Sequence, residues 1–192
     1  MKSLMKLLLL LVPFMYGIGC SGSKSSTGAP KWVSKAGIYE DAIVAAGLGE
    51  GLDERTAKLK ADLDGRKRIA ETLQTQIKNL TTSFMEEAST GKVSESVAQE
   101  YFQEVTQSVT NVTLSGAQIE EYWPPFGQAD GNRIKIYAKV VMKKNAMIDE
   151  FKKKVKEDVA AKKIKGIKDS ADEALKALDH AISKWETAKT DN

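Results

Sequence analysis

The sequence predicts an α+β domain, and three observations carry that prediction. Arg133 to Lys143 alternates apolar and polar side chains, as a half-buried strand does. Apolar residues from Leu59 to Phe84 fall at steps of four and three, the spacing of a long amphipathic helix. The order of segments is strand, helix, helix, strand, strand and then a helical extension, without βαβ repetition. The expected architecture is a small antiparallel or mixed three-stranded sheet packed by two long helices.

Tyr39 to Leu48 (YEDAIVAAGL) reads as a buried strand running into a tight turn at Gly47-Leu48-Gly49-Glu50-Gly51, which would call for positive φ. Asp53 is placed to cap the helix that follows. That helix carries Leu59, Leu63, Ala70, Leu73, Ile77, Leu80 and Phe84, with Arg66 at the missing step. Ser89-Thr90-Gly91 breaks it, and Ser94 can cap a second helix holding Val97, Tyr101, Val105 and Val109. Val112 to Trp123 returns to β-branched and aromatic residues and ends at Pro124-Pro125. Gly127 to Asn132 is turn material that joins this strand to the alternating one as an antiparallel pair. On the alternating strand Ile134, Ile136, Ala138, Val140 and Met142 share one face, and Lys135, Tyr137, Lys139, Val141 and Lys143 the other. Asn145 onward is helical, with Met147, Phe151, Val155 and Val159 in a first helix. Gly166 then divides it from a heptad-like stripe at Ile167, Ala171, Ala174, Leu178, Ala181, Trp185 and Ala188.

Composition excludes several classes. The chain has 192 residues with Lys+Arg 29, Asp+Glu 26, one His and one Cys. Charged residues at 29% exclude a multi-span membrane protein, and a single cysteine excludes a disulfide scaffold or a zinc ribbon. A net charge of +3 is too small to point to nucleic acid.

Lys2 and Lys6 precede an uncharged stretch from Leu7 to Gly19, the layout of a secretory signal peptide over residues 1–19. As a helix that stretch would measure about 20 Å, short of the ~30 Å hydrocarbon core. Without it, 27 basic side chains stand against 26 acidic ones. Cys20, preceded by Gly17-Ile18-Gly19 and followed by Ser21, resembles a bacterial lipobox. The resemblance implies a diacylglycerol on the Cys20 thiol, cleavage before it and acylation of the new amino group. An ordinary signal peptide that contains a cysteine is the competing reading. Ser21, where Asp would favour inner-membrane retention, implies the outer membrane of a Gram-negative bacterium. Residues 20–31 then form the lipidated end and a flexible polar tether, with a mean reach of roughly 16 to 19 Å over ten residues. The domain proper spans 32–143, and 144–192 is a helical hairpin extension.

Further residues resemble a known family. Pro30-Lys31-Trp32, the strand ending Ala46-Gly47-Leu48-Gly49, and the Ala- and Arg-bearing helix (Ala57, Ala61, Arg66, Ala70) belong to the resemblance. So do Leu114-Ser115-Gly116, Trp123 and Tyr137-Ala138-Lys139-Val140-Val141, all behind a lipobox. Together, from Cys20 to Met142, they resemble the LPP-twenty lipoproteins, which include Helicobacter-type surface lipoproteins and FlgP-type flagellar lipoproteins. Asp64-Gly65-Arg66-Lys67-Arg68 departs from the smoother Ala and Arg run of the family. The resemblance implies an outer-membrane lipoprotein that works by binding and assembly, and it supplies no catalytic residues.

Other constellations have a functional and a structural reading. Gly47-Leu48-Gly49-Glu50-Gly51 approaches a dinucleotide fingerprint, but its third glycine is early and no second βα unit follows. His180 is the only histidine, and Asp62-Leu63-Asp64-Gly65 starts like a calcium loop without its third spaced ligand. No catalytic, cofactor-binding or metal-ligating set is therefore assigned. Lysines 143, 144, 152, 153, 154, 156, 162, 163 and 165 form either an anion-binding face or a solvated one. Trp32, Tyr122, Trp123 and Tyr137 form either core or an assembly surface. The expected function is that of a non-enzymatic envelope lipoprotein that self-assembles or binds a protein partner, with a flagellar association among the options. A binding module for a lipid, glycan or small ligand is the alternative.

Overall fold

The computed structural model describes residues 28–91 and 95–187. The signal peptide, Cys20, most of the tether, Ser94 and Ala188 lie outside the described residues. In chain order the elements are α1 (Lys31–Ser34), β1 (Gly37–Ile38), β2 (Ala42–Gly51), α2 (Glu54–Ala88), α3 (Glu95–Leu114), β3 (Gln118–Asp130), β4 (Arg133–Lys143), α4 (Lys144–Ala160) and α5 (Ala171–Thr187). The class is α+β, as the pattern predicts. The sheet has four strands instead of three, in the order β1-β2-β4-β3, and every pairing is antiparallel. The additional strand is the two-residue β1, too short to leave a periodic signature.

Gly47 to Gly51 form no turn. β2 runs through them without a positive φ, and its pairing with β4 continues from Ala42↔Lys143 to Gly51↔Ile134. The glycines instead make room for a helix. A Cβ on Gly47 would overlap the Ala61 carbonyl and the Gly65 backbone, and one on Gly49 would overlap the Ala57 carbonyl and the Ala61 amide. Gly65 is held to the same standard from the helix side, since its Cβ would overlap the Val140 side chain on β4. Glycine in a strand where another backbone comes close is the expected solution.

The helix in question, α2, starts where the sequence places it. The Asp53 carboxylate accepts from the Thr56 amide at 2.8 Å and from the Thr56 hydroxyl at 2.7 Å, which holds its pKa below the ordinary carboxylate value. The stripe that contacts the sheet differs from the expected one. Ala57, Ala61, Gly65 and Ile69 are buried, while Leu59 and Leu63 are 58% and 59% exposed. Size decides this: only the small residues permit the close approach, so the leucines are turned to solvent.

With 35 residues α2 is about 52 Å long, whereas the ten residues of β2 cover about 33 Å. Its second half leaves the sheet and becomes one member of a four-helix bundle, in which α2 touches α3 and α5 while α4 touches both of those. Leu73, Ile77, Leu80, Phe84, Tyr101, Val105, Val109, Phe151 and Leu178 are buried there. The stripe on α5 is spent inside this bundle, with Ala174, Leu178, Ala181 and Trp185 buried and Trp185 Nε1 donating to Gln76 Oε1 at 3.2 Å. Ile167 precedes α5 and bridges to Ser89 at the end of α2. Residues after Lys143 thus belong to the same hydrophobic cluster as the sheet.

The boundary between α3 and β3 also differs from the sequence expectation. Helix α3 continues to Leu114 with Val109 and Thr113 buried, because packing against α2 outweighs the weak preference of β-branched residues for strands. β3 begins at Gln118 and does not end at Pro124-Pro125. A register irregularity lies between Trp123 and Gln128, after which pairing resumes to the turn at Gly131-Asn132.

One charge cluster, with Asp158 buried and Glu104 exposed, ties α3 to α4. Lys154 Nζ lies 2.7 Å from Glu104 Oε1 and 2.8 Å from Oδ1 of Asp158, which is 1% exposed. Burial alone would lower the Lys154 pKa, but the hydrogen bonds to Asp158 and Glu104 outweigh it and raise the value. The same ammonium hydrogen-bonds to Glu104 and holds its pKa down. Burial first, and then the Asp158 charge, keep Tyr101 protonated far above the usual phenol range.

Two measurements check this account. In urea denaturation, Gly49→Val is expected to lose about 3 kcal/mol or more, whereas Leu59→Ala and Leu63→Ala should stay within about 0.5 kcal/mol of the parent. Lys154→Met leaves the buried Asp158 only the more distant and more exposed Lys163, at 3.8 Å, and should lose about 3 kcal/mol, most of which Lys154→Met/Asp158→Leu restores. The pH dependence follows the same cluster. The depressed Glu104 contributes above its ordinary pKa and its contribution is lost as pH falls through the folded value. The raised Lys154 contributes below the ordinary lysine value and its contribution is lost as pH rises through the folded one. In the Lys154→Met protein both flanks of the stability profile should flatten.

Candidate functional site

Because α2 covers one face of the sheet, residues alternate between a buried face and an open one. Ile43, Ala45, Ile136, Ala138, Val140 and Met142 are on the α2 side. The opposite face carries rows set by the register: Val44 beside Val141, Ala46 beside Lys139 and Glu121, Leu48 beside Tyr137 and Trp123, and Glu50 beside Lys135. The Trp123 and Tyr137 rings lie 5.9 Å apart at 42°, and Lys135 Nζ sits 6.0 Å from the Tyr137 ring centre.

A bulge in β3 completes the surface. The pairing shifts between Ile119 and Glu121, so that two glutamates serve one stretch of β4. Glu120 accepts from Lys139 Nζ at 2.7 Å, and Glu121 accepts from Trp32 Nε1 at 2.9 Å. The second contact pins α1 across one end of the open face. Tyr39 adds a hydrogen bond from its hydroxyl to the Lys35 carbonyl. Between α1 and the sheet lies a groove of about 590 Å³, with Val44 and Val141 on its apolar floor and Trp32 and Tyr39 along its sides. Its rim holds Lys31, Lys35 and Asp41 beside the Lys139 and Glu120 pair. The arrangement offers aromatic, apolar and paired charged groups side by side, the composition of a contact surface.

The sequence candidates are distributed as follows. Cys20 lies outside the described residues. Of the four aromatics, Trp32, Trp123 and Tyr137 share the open face, while Tyr122 points to the α2 side, 5.1 Å beneath Lys58, with its pKa raised by burial and then by Asp62. Asp62 and Asp64 are helix-surface residues with partners: Asp62 binds Arg66 at 2.8 Å, and Asp64 binds Arg68 at 2.9 Å. Asp64 also accepts from the Leu48 backbone amide at 2.9 Å, closing a donor on the outer side of β2. The departure at Asp64-Gly65 from a smooth helix pattern thus has a structural reason on both residues.

His180 is 65% exposed side-chain surface, with Nδ1 3.3 Å from Glu87, an ion pair when the imidazole is protonated. Several lysines of the run have partners within the fold. Lys154 and, at 3.8 Å, Lys163 pair with the buried Asp158, Lys153 pairs with Glu150 at 3.8 Å, and Lys144 lies 5.9 Å from the Trp185 ring centre. Among the described residues no group of three or more His, Cys, Asp or Glu is placed to hold a metal ion. No helix among them is long and apolar enough to cross a membrane.

The groove and the β3 bulge escaped the sequence reading. The available signal was the outer face of β4, where Tyr137 and Val141 interrupt the lysines. Comparison of the chain with protein-family models, with curated proteins and with solved structures finds no match in any of the three.

Proposed function

We propose that the protein is a lipid-anchored, non-enzymatic lipoprotein of the LPP-twenty type that works at the outer membrane by binding, either to further copies of itself or to an envelope protein such as a flagellar component. The observation that carries this reading is the open sheet face, where the Leu48, Tyr137 and Trp123 row is flanked by charged residues and, among the described residues, has no helix over it beyond the four residues of α1. Aromatic anchors inside a polar rim are the usual centre of a protein interface. The α5 stripe, buried within the chain, contributes nothing to such an interface, so the reading rests on the sheet and on the lipobox resemblance. A second reading, a small amphiphilic ligand, is favoured by the groove beneath α1.

Two outcomes are expected. Cys20→Ser should move the protein from the membrane to the soluble fraction and abolish palmitate labelling, with the far-UV circular dichroism of the purified domain unchanged. Trp123→Ser/Tyr137→Ser should shift the membrane-extracted protein to its smallest species in light scattering while leaving its anchoring intact. Retention of the larger species in that double variant would remove the sheet face from the assembly, and a motility assay of the same strain reads the flagellar option.

A further inference from the structure

The rim of the groove beneath α1 carries charges of both signs that the fold does not use. Lys139 and Glu120 satisfy each other at 2.7 Å. Lys31, Lys35 and Asp41 line the same groove, and none of the three has an ion-pair partner among the described residues. Beneath them the floor is apolar, from Val44 and Val141, with the Trp32 indole held in place by its hydrogen bond to Glu121. A ligand that complements all of this has a negative group, a positive group and a short apolar body.

We propose that the groove binds the headgroup of an amine-bearing phospholipid, with Lys31 and Lys35 on the phosphate, Asp41 on the ammonium, and the glycerol and first methylenes over Val44, Val141 and Trp32. The volume of about 590 Å³ lies inside the range of small-molecule sites. Chain length brings such a ligand close. Ten residues lie between Cys20 and Lys31, and the eleven steps along the chain span at most about 40 Å, so an acylated Cys20 holds the groove within reach of a bilayer surface. Tethering raises the local lipid concentration to the millimolar range, at which a weak site is occupied. Trp and Lys side by side also suit the polar zone of a bilayer. This inference deepens the ligand-binding reading and takes its proximity argument from the acylation of Cys20.

The test separates those two premises by using the full chain with Cys20→Ser, which needs no acylation, and a soluble probe. Dihexanoyl phosphatidylethanolamine, kept below its micelle concentration, should change the tryptophan emission saturably, and Trp32→Phe should remove the change. Lys31→Glu/Lys35→Glu should weaken binding at least tenfold. Asp41→Asn should weaken binding of this probe while leaving that of dihexanoyl phosphatidylglycerol, which lacks the amine, unchanged. Both sets of substitutions lie on the surface, and circular dichroism checks that the fold is kept. The proposal is overturned by an unaltered emission at millimolar probe or by equal affinity in the charge-reversed protein. Free phosphoethanolamine binding as tightly as the lipid would also overturn it, assigning the groove to a soluble phosphate ester. Acylation is read independently from the mass of the membrane-extracted wild type, so failure of the anchor and failure of the groove give different results.

Discussion

The close approach of α2 to β2 is the constraint on which the remaining architecture depends. Two strand glycines, Gly47 and Gly49, face Ala57, Ala61 and Gly65, and no Cβ fits on any of the three glycines without displacing a neighbour. Mid-helix glycine costs about 1 kcal/mol against alanine, and strand glycine also weakens a sheet. These local costs are offset by backbone packing that seals one face of the sheet along its length. Helix direction follows from the same contact, since Ala57 over Gly49 and Ala61 over Gly47 lead α2 back along β2.

That direction makes α2 a beam shared by two substructures. Leu59 and Ile77 are eighteen residues apart, about five turns, and so lie on the same side of the helix, as do Leu63 and Thr81. Over the sheet this side faces solvent, and in the bundle it is buried. A single helix thus presents different faces to the core along its length. The bundle partners arrive from both sides of the β3–β4 hairpin in sequence: α3 before it, α4 and α5 after it. The Lys154 cluster joins α3 to α4 across that insertion, and with the more distant Lys163 it compensates Asp158 in the interior.

The candidate surface is a consequence of the one-sided sheet. With helices gathered on the α2 side and in the bundle, the other face receives only α1 among the described residues. Its attachment depends on a bulge that brings Glu121 to the Trp32 indole while Glu120 stays with Lys139. On the opposite edge, Asp64 reaches from α2 to the Leu48 amide, so the helix that covers one face also protects part of the strand edge. The open sheet face, the edge protection and the core packing all refer back to the same helix placement.

Elements whose signal is local were legible in the residues. The alternation of β4 identified its buried and open faces, Asp53 marked the start of α2, and Ser89-Thr90-Gly91 and Gly166 marked breaks between helices. Periodicity and capping reflect contacts within a few residues, so the chain alone carries them. Which side of α2 meets the sheet was not legible, because hydrophobicity favours Leu59 and Leu63 while the distance between backbones selects Ala57, Ala61 and Gly65. The reading of Gly47 to Gly51 as a turn failed for the same reason: glycine serves a turn and a close contact equally well, and only the partner backbone distinguishes them. The groove at α1, the split of the four aromatics between two faces, and the contacts of Lys154 with Glu104 and of Lys144 with Trp185 depend on residues far apart in sequence being brought together. Tertiary packing decided those, since no spacing along the chain records the partner across the fold.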